Sequence, residues 1–181
     1  DNKTTILDLG ELSLENSKDN LSLFRFNVEN PQLWFPHGYG NPTLYEATIY
    51  LYNKKSICLD SVKTRFGIRT IELSQEKDKY GSEFCFIVNG KKIFAKGSNL
   101  VPTAMHKERY EGLAKHIDLV KDCNMNMLRV WGGGYYVDEQ MYNACDEKGI
   151  LIWQDFPFAC ALYPATKDYL AEVETEARQN V

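Results

Sequence analysis

NMNMLRVWGGG, residues 124–134, is a short apolar run that three consecutive glycines bring to an end. A run of this kind predicts a buried β-strand over residues 125–130. Side chains alternate along a strand, so Leu128 and Val130 point to one face and Arg129 and Trp131 to the other. If helices cover the first face, Arg129 and Trp131 lie on the opposite face at the carboxyl end of the strand.

Strand-like and helical segments alternate on both sides of this run. They are a strand at 93–96, a helix at 108–121, a helix that Asp138 can cap and Gly149 can end, a strand at 150–153, and a helix that Thr166 can cap. This β-α-β-α-β-α order predicts a parallel sheet with helical crossovers, which opens either a doubly wound sheet or a (β/α)8 barrel. No phosphate-binding glycine motif follows a strand. Polar and aromatic residues instead collect at the carboxyl ends of the strands, which favours the barrel.

The first part of the chain follows a period of two residues. Thr43–Tyr52, TLYEATIYLY, alternates as a half-buried strand does, and further strands are predicted at 21–28, 56–62 and 65–73. Short strands separated by turn signals suggest a small antiparallel sandwich over residues 1–73.

A polar stretch separates this part from the rest. SQEKDKYG, residues 74–81, is interpreted as a linker and a domain boundary, which leaves 82–181 as the second domain. Asn89-Gly90 then lies between two strand-like segments and predicts a tight hairpin.

Charge and composition exclude several functions. A net charge of -4 argues against nucleic-acid binding, and no apolar run approaches the roughly 20 residues that span a bilayer. The three histidines and five cysteines show no metal-ligand spacing, so we expect no metal or other cofactor. The cysteines are interpreted as reduced and mostly buried thiols.

Four side chains are candidates for a binding site at the strand ends. A buried Arg129 needs an anionic partner, which could be a catalytic carboxylate, and Trp131 could offer a flat apolar face to a sugar ring. Asp155 follows the third strand, where it could bind sugar hydroxyls or orient Arg129. Asn99, in KGSN (96–99), would point to the same place. The alternatives are a structural ion pair for Arg129, a core Trp131, a loop Asp155 and a turn Asn99.

The ordered set of motifs resembles the β-mannosidase branch of the glycoside hydrolase family that includes β-galactosidase and β-glucuronidase. The matching runs are NPQLWFPHGYG (30–40), RFGIRTIEL (65–73), FIVNGKKIFAKGSN (86–99), NMNMLRVWGGG (124–134), ACDEKGILIWQDF (144–156) and FACALYP (158–164).

This resemblance implies a multidomain β plus α/β architecture. Residues 1–73 would belong to an immunoglobulin-like β-sandwich, 74–81 to a linker, and 82–181 to the first three β/α units of a truncated (β/α)8 TIM barrel. It also implies retaining hydrolysis of terminal β-D-mannosides, with both catalytic glutamates on later strands. Under it the chain would be an internal piece that is inactive alone, in which Arg129, Trp131, Asp155 and Asn99 bind the substrate.

Three positions depart from the family pattern: Leu100, Ala104 and Val137 replace a usual Trp, acidic residue and Glu. These departures leave another activity of the family, such as exo-β-glucosaminidase, as an alternative. A non-catalytic carbohydrate-binding or scaffold module is a separate alternative. The open edge of the third strand suggests self-association. The parent would be periplasmic if bacterial and lysosomal if animal.

Overall fold

The computed structural model describes residues 4–10, 25–102 and 112–181. Residues 1–31 and residues 32–181 form two separate compact units. In the first unit the described residues contain no helix or strand. The strand predicted over 21–28 is therefore wrong for residues 25–28, and residues 21–24 lie outside the described residues.

The second unit begins with antiparallel strands. β1 (Tyr45–Tyr52) pairs with β2 (Cys58–Phe66), and β3 (Ile71–Ser74), β4 (Cys85–Val88) and β5 (Lys91–Ile93) form a three-stranded sheet in that order. The predicted hairpin is confirmed, because Asn89 and Gly90 join β4 to β5 with φ angles of 50° and 75°. Positive φ at both residues is what the favoured two-residue turn requires.

The alternation of residues 43–52 predicts a half-buried strand, but both faces of β1 carry exposed side chains: Ile49 and Leu51 on one face are 47% and 44% exposed, and Tyr50 and Tyr52 on the other are each 56% exposed. Residues 74–81, predicted as a linker, lie at the connection between β3 and β4, whose terminal residues Ser74 and Cys85 pair in one sheet. The sandwich and the division into domains stay predictions.

A parallel sheet follows, and the predicted alternation of strands and helices is confirmed over the described residues. Its strands, in the order β6-β7-β8, are β6 (Gly97–Leu100), β7 (Met127–Val130) and β8 (Leu151–Gln154). The helices are α1 (Ile117–Asp122), which follows a 3-10 turn at Leu113–His116, α2 (Glu139–Lys148) and α3 (Lys167–Asn180). Within the described ranges, no helix combines the length and apolarity needed to cross a membrane.

The first parallel strand lies further along the chain than predicted. The strand expected at 93–96 is β6 at 97–100, so Asn99 belongs to a strand and not to the loop after one. A Cβ atom at Gly97 would lie 1.8 Å from the carbonyl oxygen of Met127. The glycine that made this stretch resemble a loop is therefore what lets β6 approach β7.

The two faces of the parallel sheet pack against different partners. Leu128 and Val130 contact the helices through Ile117, Met141 and Cys145, as the alternation of the strand predicts. The opposite face is covered at its amino end by a second cluster, which consists of Trp34, Val88, Ile93, Met127 and Leu151. Full burial of such side chains contributes roughly 1.5–3 kcal/mol each, so both faces hold the sheet in place.

Asn126 fixes the alignment of β6 with β7. It is fully buried; its Oδ1 accepts the N–H of Lys96 at 2.8 Å, and its Nδ2 donates to the carbonyl of Phe94 at 3.1 Å. Its own N–H donates to the carbonyl of Lys96 at 2.8 Å. A buried amide in which both ends are bonded accepts one arrangement of its neighbours, so the chain enters β6 in a single register.

We expect Asn126→Ala to lower the free energy of unfolding by about 2–4 kcal/mol, because it removes a fully buried amide and takes the side-chain partner from the part-buried N–H of Lys96 and carbonyl of Phe94. Urea denaturation measures this loss. Asn180→Ala is the matched control, since Asn180 bonds Glu176 on the exposed surface of α3, and it should change stability by less than about 0.5 kcal/mol. Equal losses in the two variants would contradict the role of Asn126.

The cysteines are free, but the expectation that most are buried is wrong. Cys58, Cys123 and Cys160 are exposed, Cys85 is half-buried and Cys145 is buried. Burial raises the pKa of the Cys145 thiol to about 12, so at pH 8 its reactive thiolate is nearly absent. Iodoacetamide should therefore modify the three exposed thiols first and leave Cys145 intact in the folded chain, as peptide mass spectrometry can show. Early labelling of Cys145 would contradict the packing described for α2.

Candidate functional site

The register of the parallel sheet brings three of the predicted residues to one place. Asn99 in β6 is the direct neighbour of Arg129 in β7. Asp155 follows β8 immediately, and its N–H donates to the carbonyl of Val130 at 3.1 Å. Alternation places all three side chains on the face opposite the helices, at the carboxyl end of the sheet.

Arg129 is the centre of this group. Its Nε donates to Asp155 Oδ1 at 3.2 Å and its Nη2 to Asp155 Oδ2 at 2.5 Å, while Nη1 donates to Asn99 Oδ1 at 3.0 Å. Two parallel bonds between a guanidinium and a carboxylate fix both orientation and distance. The side chains are 40% exposed for Arg129 and 20% for Asp155, so the pair faces solvent in part.

Glycines complete the surroundings of Asp155. The N–H of Gly132 donates to Asp155 Oδ2 at 3.1 Å, which gives that oxygen a second donor. A Cβ atom at Gly132 would lie 2.5 Å from the carbonyl oxygen of Phe156, so a side chain there would push the loop after β7 away from Asp155. Steric crowding thus explains why the first of the three consecutive glycines, Gly132, is a glycine.

Trp131 joins the group through the main chain. Its N–H donates to the carbonyl of Leu100 at 3.2 Å, which extends the pairing of β6 and β7 by one residue. Its ring lies against Gly133, where a Cβ atom would be 2.0 Å from the ring edge. Hydrogen bonds therefore unite Asn99, Arg129 and Asp155, and Trp131 stands next to them with its ring on Gly133.

An aromatic layer lies below the polar group on the same face. Trp153, the strand neighbour of Arg129, stacks on Phe84 with ring centres 5.8 Å apart and meets Phe86 edge-on at 6.0 Å. Nearer the amino end, Met127 and Leu151 belong to the buried cluster around Trp34. This face therefore changes from apolar packing to a charged pair at its carboxyl edge. Trp34 itself is 1% exposed and belongs to the packed core.

Two residues that the sequence did not single out support Asp155 from the helix side. The hydroxyl of Tyr142 in α2 donates to Gln154 Oε1 at 3.0 Å, and Gln154 Nε2 donates to the carbonyl of Asp155 at 2.8 Å. Burial raises the pKa of Tyr142, so its hydroxyl stays protonated as a donor at neutral pH. The only sequence signal was a polar Gln154 on the face that otherwise packs against helices.

Positions that depart from the family pattern lie mostly in the core. Val137 is buried against α2, and Leu100 packs against the same cluster from the helix side of β6. Ala104 lies outside the described residues. The side chains of Leu100 and Val137 therefore help to build the sheet that carries the site.

The chemistry available here is recognition and positioning. Arg129 has five N–H groups, three of which the described bonds use, so it can bind a further oxygen ligand. Asp155 and Asn99 offer oxygen atoms to hydroxyl groups. In the described ranges, no group of three His, Cys, Asp or Glu residues is placed to bind a metal ion.

A double-mutant cycle of Arg129→Ala and Asp155→Ala should give a coupling energy of about 1–3 kcal/mol by urea denaturation, because a two-point contact to a charged group is lost. The control cycle uses Arg178 and Glu174 on the exposed face of α3, which pair at 2.7 Å. That coupling should not exceed about 0.5 kcal/mol. Similar values for the two cycles would show that Arg129 and Asp155 form an ordinary surface ion pair.

Comparison with known proteins identifies relatives that match most of the chain. The family described as Glycosyl hydrolases family 2 matches residues 1–69. Beta-mannosidase B of Aspergillus flavus is 44% identical over 170 residues, which cover 91% of this chain and 20% of that protein. The crystal structure of Beta-D-Mannosidase from Dictyoglomus thermophilum has a TM-score of 0.74 and 44% identity, and covers 83% of this chain and 19% of that one.

A more distant structure shows the same fold. The exo-chitosanase of Amycolatopsis orientalis has a TM-score of 0.62 at 20% identity, over 73% of this chain and 15% of that one. The chain spans about a fifth of the length of the curated relatives it matches. On these likenesses, the chain belongs to family 2 of the glycosyl hydrolases.

Proposed function

We propose that this chain is the supporting part of a retaining exo-β-mannosidase, which hydrolyses terminal β-D-mannosides. The observation that carries the proposal is the contact of Arg129 with Asp155 and Asn99 at the carboxyl edge of the parallel sheet. Enzymes built on a (β/α)8 barrel have their sites at this edge. In the proposal, β6, β7 and β8 are the first three strands of such a barrel, after an immunoglobulin-like sandwich.

Retaining hydrolysis requires two carboxyl groups about 5–5.5 Å apart, one as nucleophile and one as acid and base. Asp155 is suited to neither task, because Arg129 and the N–H of Gly132 already engage its oxygens. We therefore assign Asp155 to positioning and place both catalytic glutamates on later strands, outside this chain. The chain alone would then lack turnover.

Each of the four side chains has a role in this proposal. Arg129 would donate its remaining N–H groups to the nucleophilic carboxylate, which keeps that carboxylate ionised and oriented. Asp155 would hold Arg129 in place and accept hydrogen bonds from sugar hydroxyls. Asn99 would present its amide to the same space, and Trp131 would offer its ring face to the apolar side of the sugar.

The preference for mannosides rests on relatedness. The two proteins at 44% identity are named as β-mannosidases. The exo-chitosanase has 20% identity and supports the fold alone. The same Amycolatopsis orientalis protein is also named an exo-β-D-glucosaminidase. Because its identity to this chain is low, we place exo-β-glucosaminidase activity second to β-mannosidase activity.

The direct test assays the longer protein that contains this chain on aryl β-glycosides of mannose, glucosamine, galactose and glucuronic acid. We expect the longer protein to give the highest kcat/KM on the mannoside, by at least about tenfold. This chain alone should release the phenol no faster than the uncatalysed reaction does. A higher kcat/KM on another sugar would contradict the proposed specificity. Turnover by this chain alone would contradict the assignment of the glutamates to later strands.

In the longer protein, Arg129→Lys should lower kcat/KM on the order of 100-fold, because one ammonium group cannot reproduce the fork that holds Asp155 and the nucleophile. Arg178→Lys is the matched control: Arg178 pairs with Glu174 on exposed α3, so kcat/KM should stay within about twofold. Near-normal activity of the Arg129 variant would remove Arg129 from the site.

A further inference from the structure

The carbonyl of Asp155 lies just beyond the ladder that joins β8 to β7. The last paired residues are Val130 and Gln154, and the N–H of Asp155 still bonds Val130. The carbonyl of Asp155 has left the ladder, and the side chain of Gln154 supplies its donor at 2.8 Å. The carbonyl of Asp155 is therefore bonded by the side chain of Gln154, and its N–H is bonded by Val130 of β7.

Gln154 is itself held from the helix layer. Tyr142 packs against the cluster of Leu128, Val130 and Met141, and its hydroxyl donates to Gln154 Oε1 at 3.0 Å. A hydroxyl and an amide in a mostly apolar layer are costly unless each is bonded. Here they bond each other, and the amide nitrogen of Gln154 donates to the carbonyl of Asp155.

We infer that Tyr142 and Gln154 are positioning residues, which set the direction in which Asp155 presents its carboxylate to Arg129. Three hydrogen bonds connect α2 to Arg129: Tyr142 donates to Gln154, Gln154 donates to the carbonyl of Asp155, and the Asp155 carboxylate accepts from Arg129. As a role in catalysis this inference rests on the proposed function. The geometry it predicts can be tested without a sugar.

The N–H of Gly132 reports the direction of the carboxylate, because it donates to Asp155 Oδ2. The N–H of Leu151 reports the stability of the sheet, because it donates to the carbonyl of Asn126 near the start of β8. Amide hydrogen exchange of this chain, followed by NMR, measures both groups in one experiment. A loss of overall stability raises the rate of Leu151, whereas a turned carboxylate raises the rate of Gly132 and leaves that of Leu151 unchanged.

In Tyr142→Phe, which removes only the hydroxyl, the exchange rate of Gly132 should rise on the order of tenfold more than that of Leu151. Gln154→Glu keeps an acceptor for Tyr142 and removes the donor to Asp155, so it should raise the rate of Gly132 at least as much. Tyr45→Phe is the matched control. The Tyr45 hydroxyl accepts a hydrogen bond from the N–H of Gln32 and has no bond to Gln154 or Asp155 among those described. In this variant the exchange rates of Gly132 and Leu151 should therefore keep their ratio.

If the exchange rates of Gly132 and Leu151 rise by the same factor in both Tyr142→Phe and Gln154→Glu, the inference is overturned. Tyr142 and Gln154 would then contribute only to the general packing. The proposed function fails separately, by lack of mannoside turnover in the longer protein. A selective rise at Gly132 in a protein without that activity would keep the positioning role and reject the mannosidase.

Discussion

The alignment of β6 with β7 is the constraint on which the candidate site depends. Lys96, the residue before β6, bonds Asn126 through both of its main-chain groups. Its N–H donates to Asn126 Oδ1 at 2.8 Å, and its carbonyl accepts the N–H of Asn126 at 2.8 Å. A shift of one residue would turn Asn99 toward the helices and away from Arg129, because neighbouring residues of a strand point to opposite faces. A buried amide one residue before β7 thus decides which side chains meet at the other end of the sheet.

The same face of the sheet changes along its length from apolar packing at the amino end to the candidate site at the carboxyl end. Met127 and Leu151 close its amino end in the cluster around Trp34, and Trp153 continues the apolar layer. Only the last residues at the carboxyl end are charged. In the proposed function, Arg129 would orient a second carboxylate from above this apolar layer.

Part of this arrangement could be predicted from the sequence, because it follows from periodicity. The two-residue alternation of β7 placed Arg129 opposite the helix-facing residues, and Asp155 could be assigned to the end of β8 in the same way. The rest depends on contacts that are distant along the chain. Asn126 and Gln154 bond backbone groups, which carry no sequence signal, and Gly97 resembled a loop residue although β7 requires it there.

In the proposed function, the group around Arg129 supports the nucleophile of a β-mannosidase. The most direct measurement is a crystal structure of the longer protein with a mannosyl unit trapped on its nucleophile by a 2-fluoro mannoside. We predict that Arg129 still pairs with Asp155 and donates a hydrogen bond to the carboxylate that carries the sugar, with Trp131 along the sugar ring. A trapped sugar remote from Arg129, or a nucleophile that Arg129 does not contact, would contradict this role of Arg129.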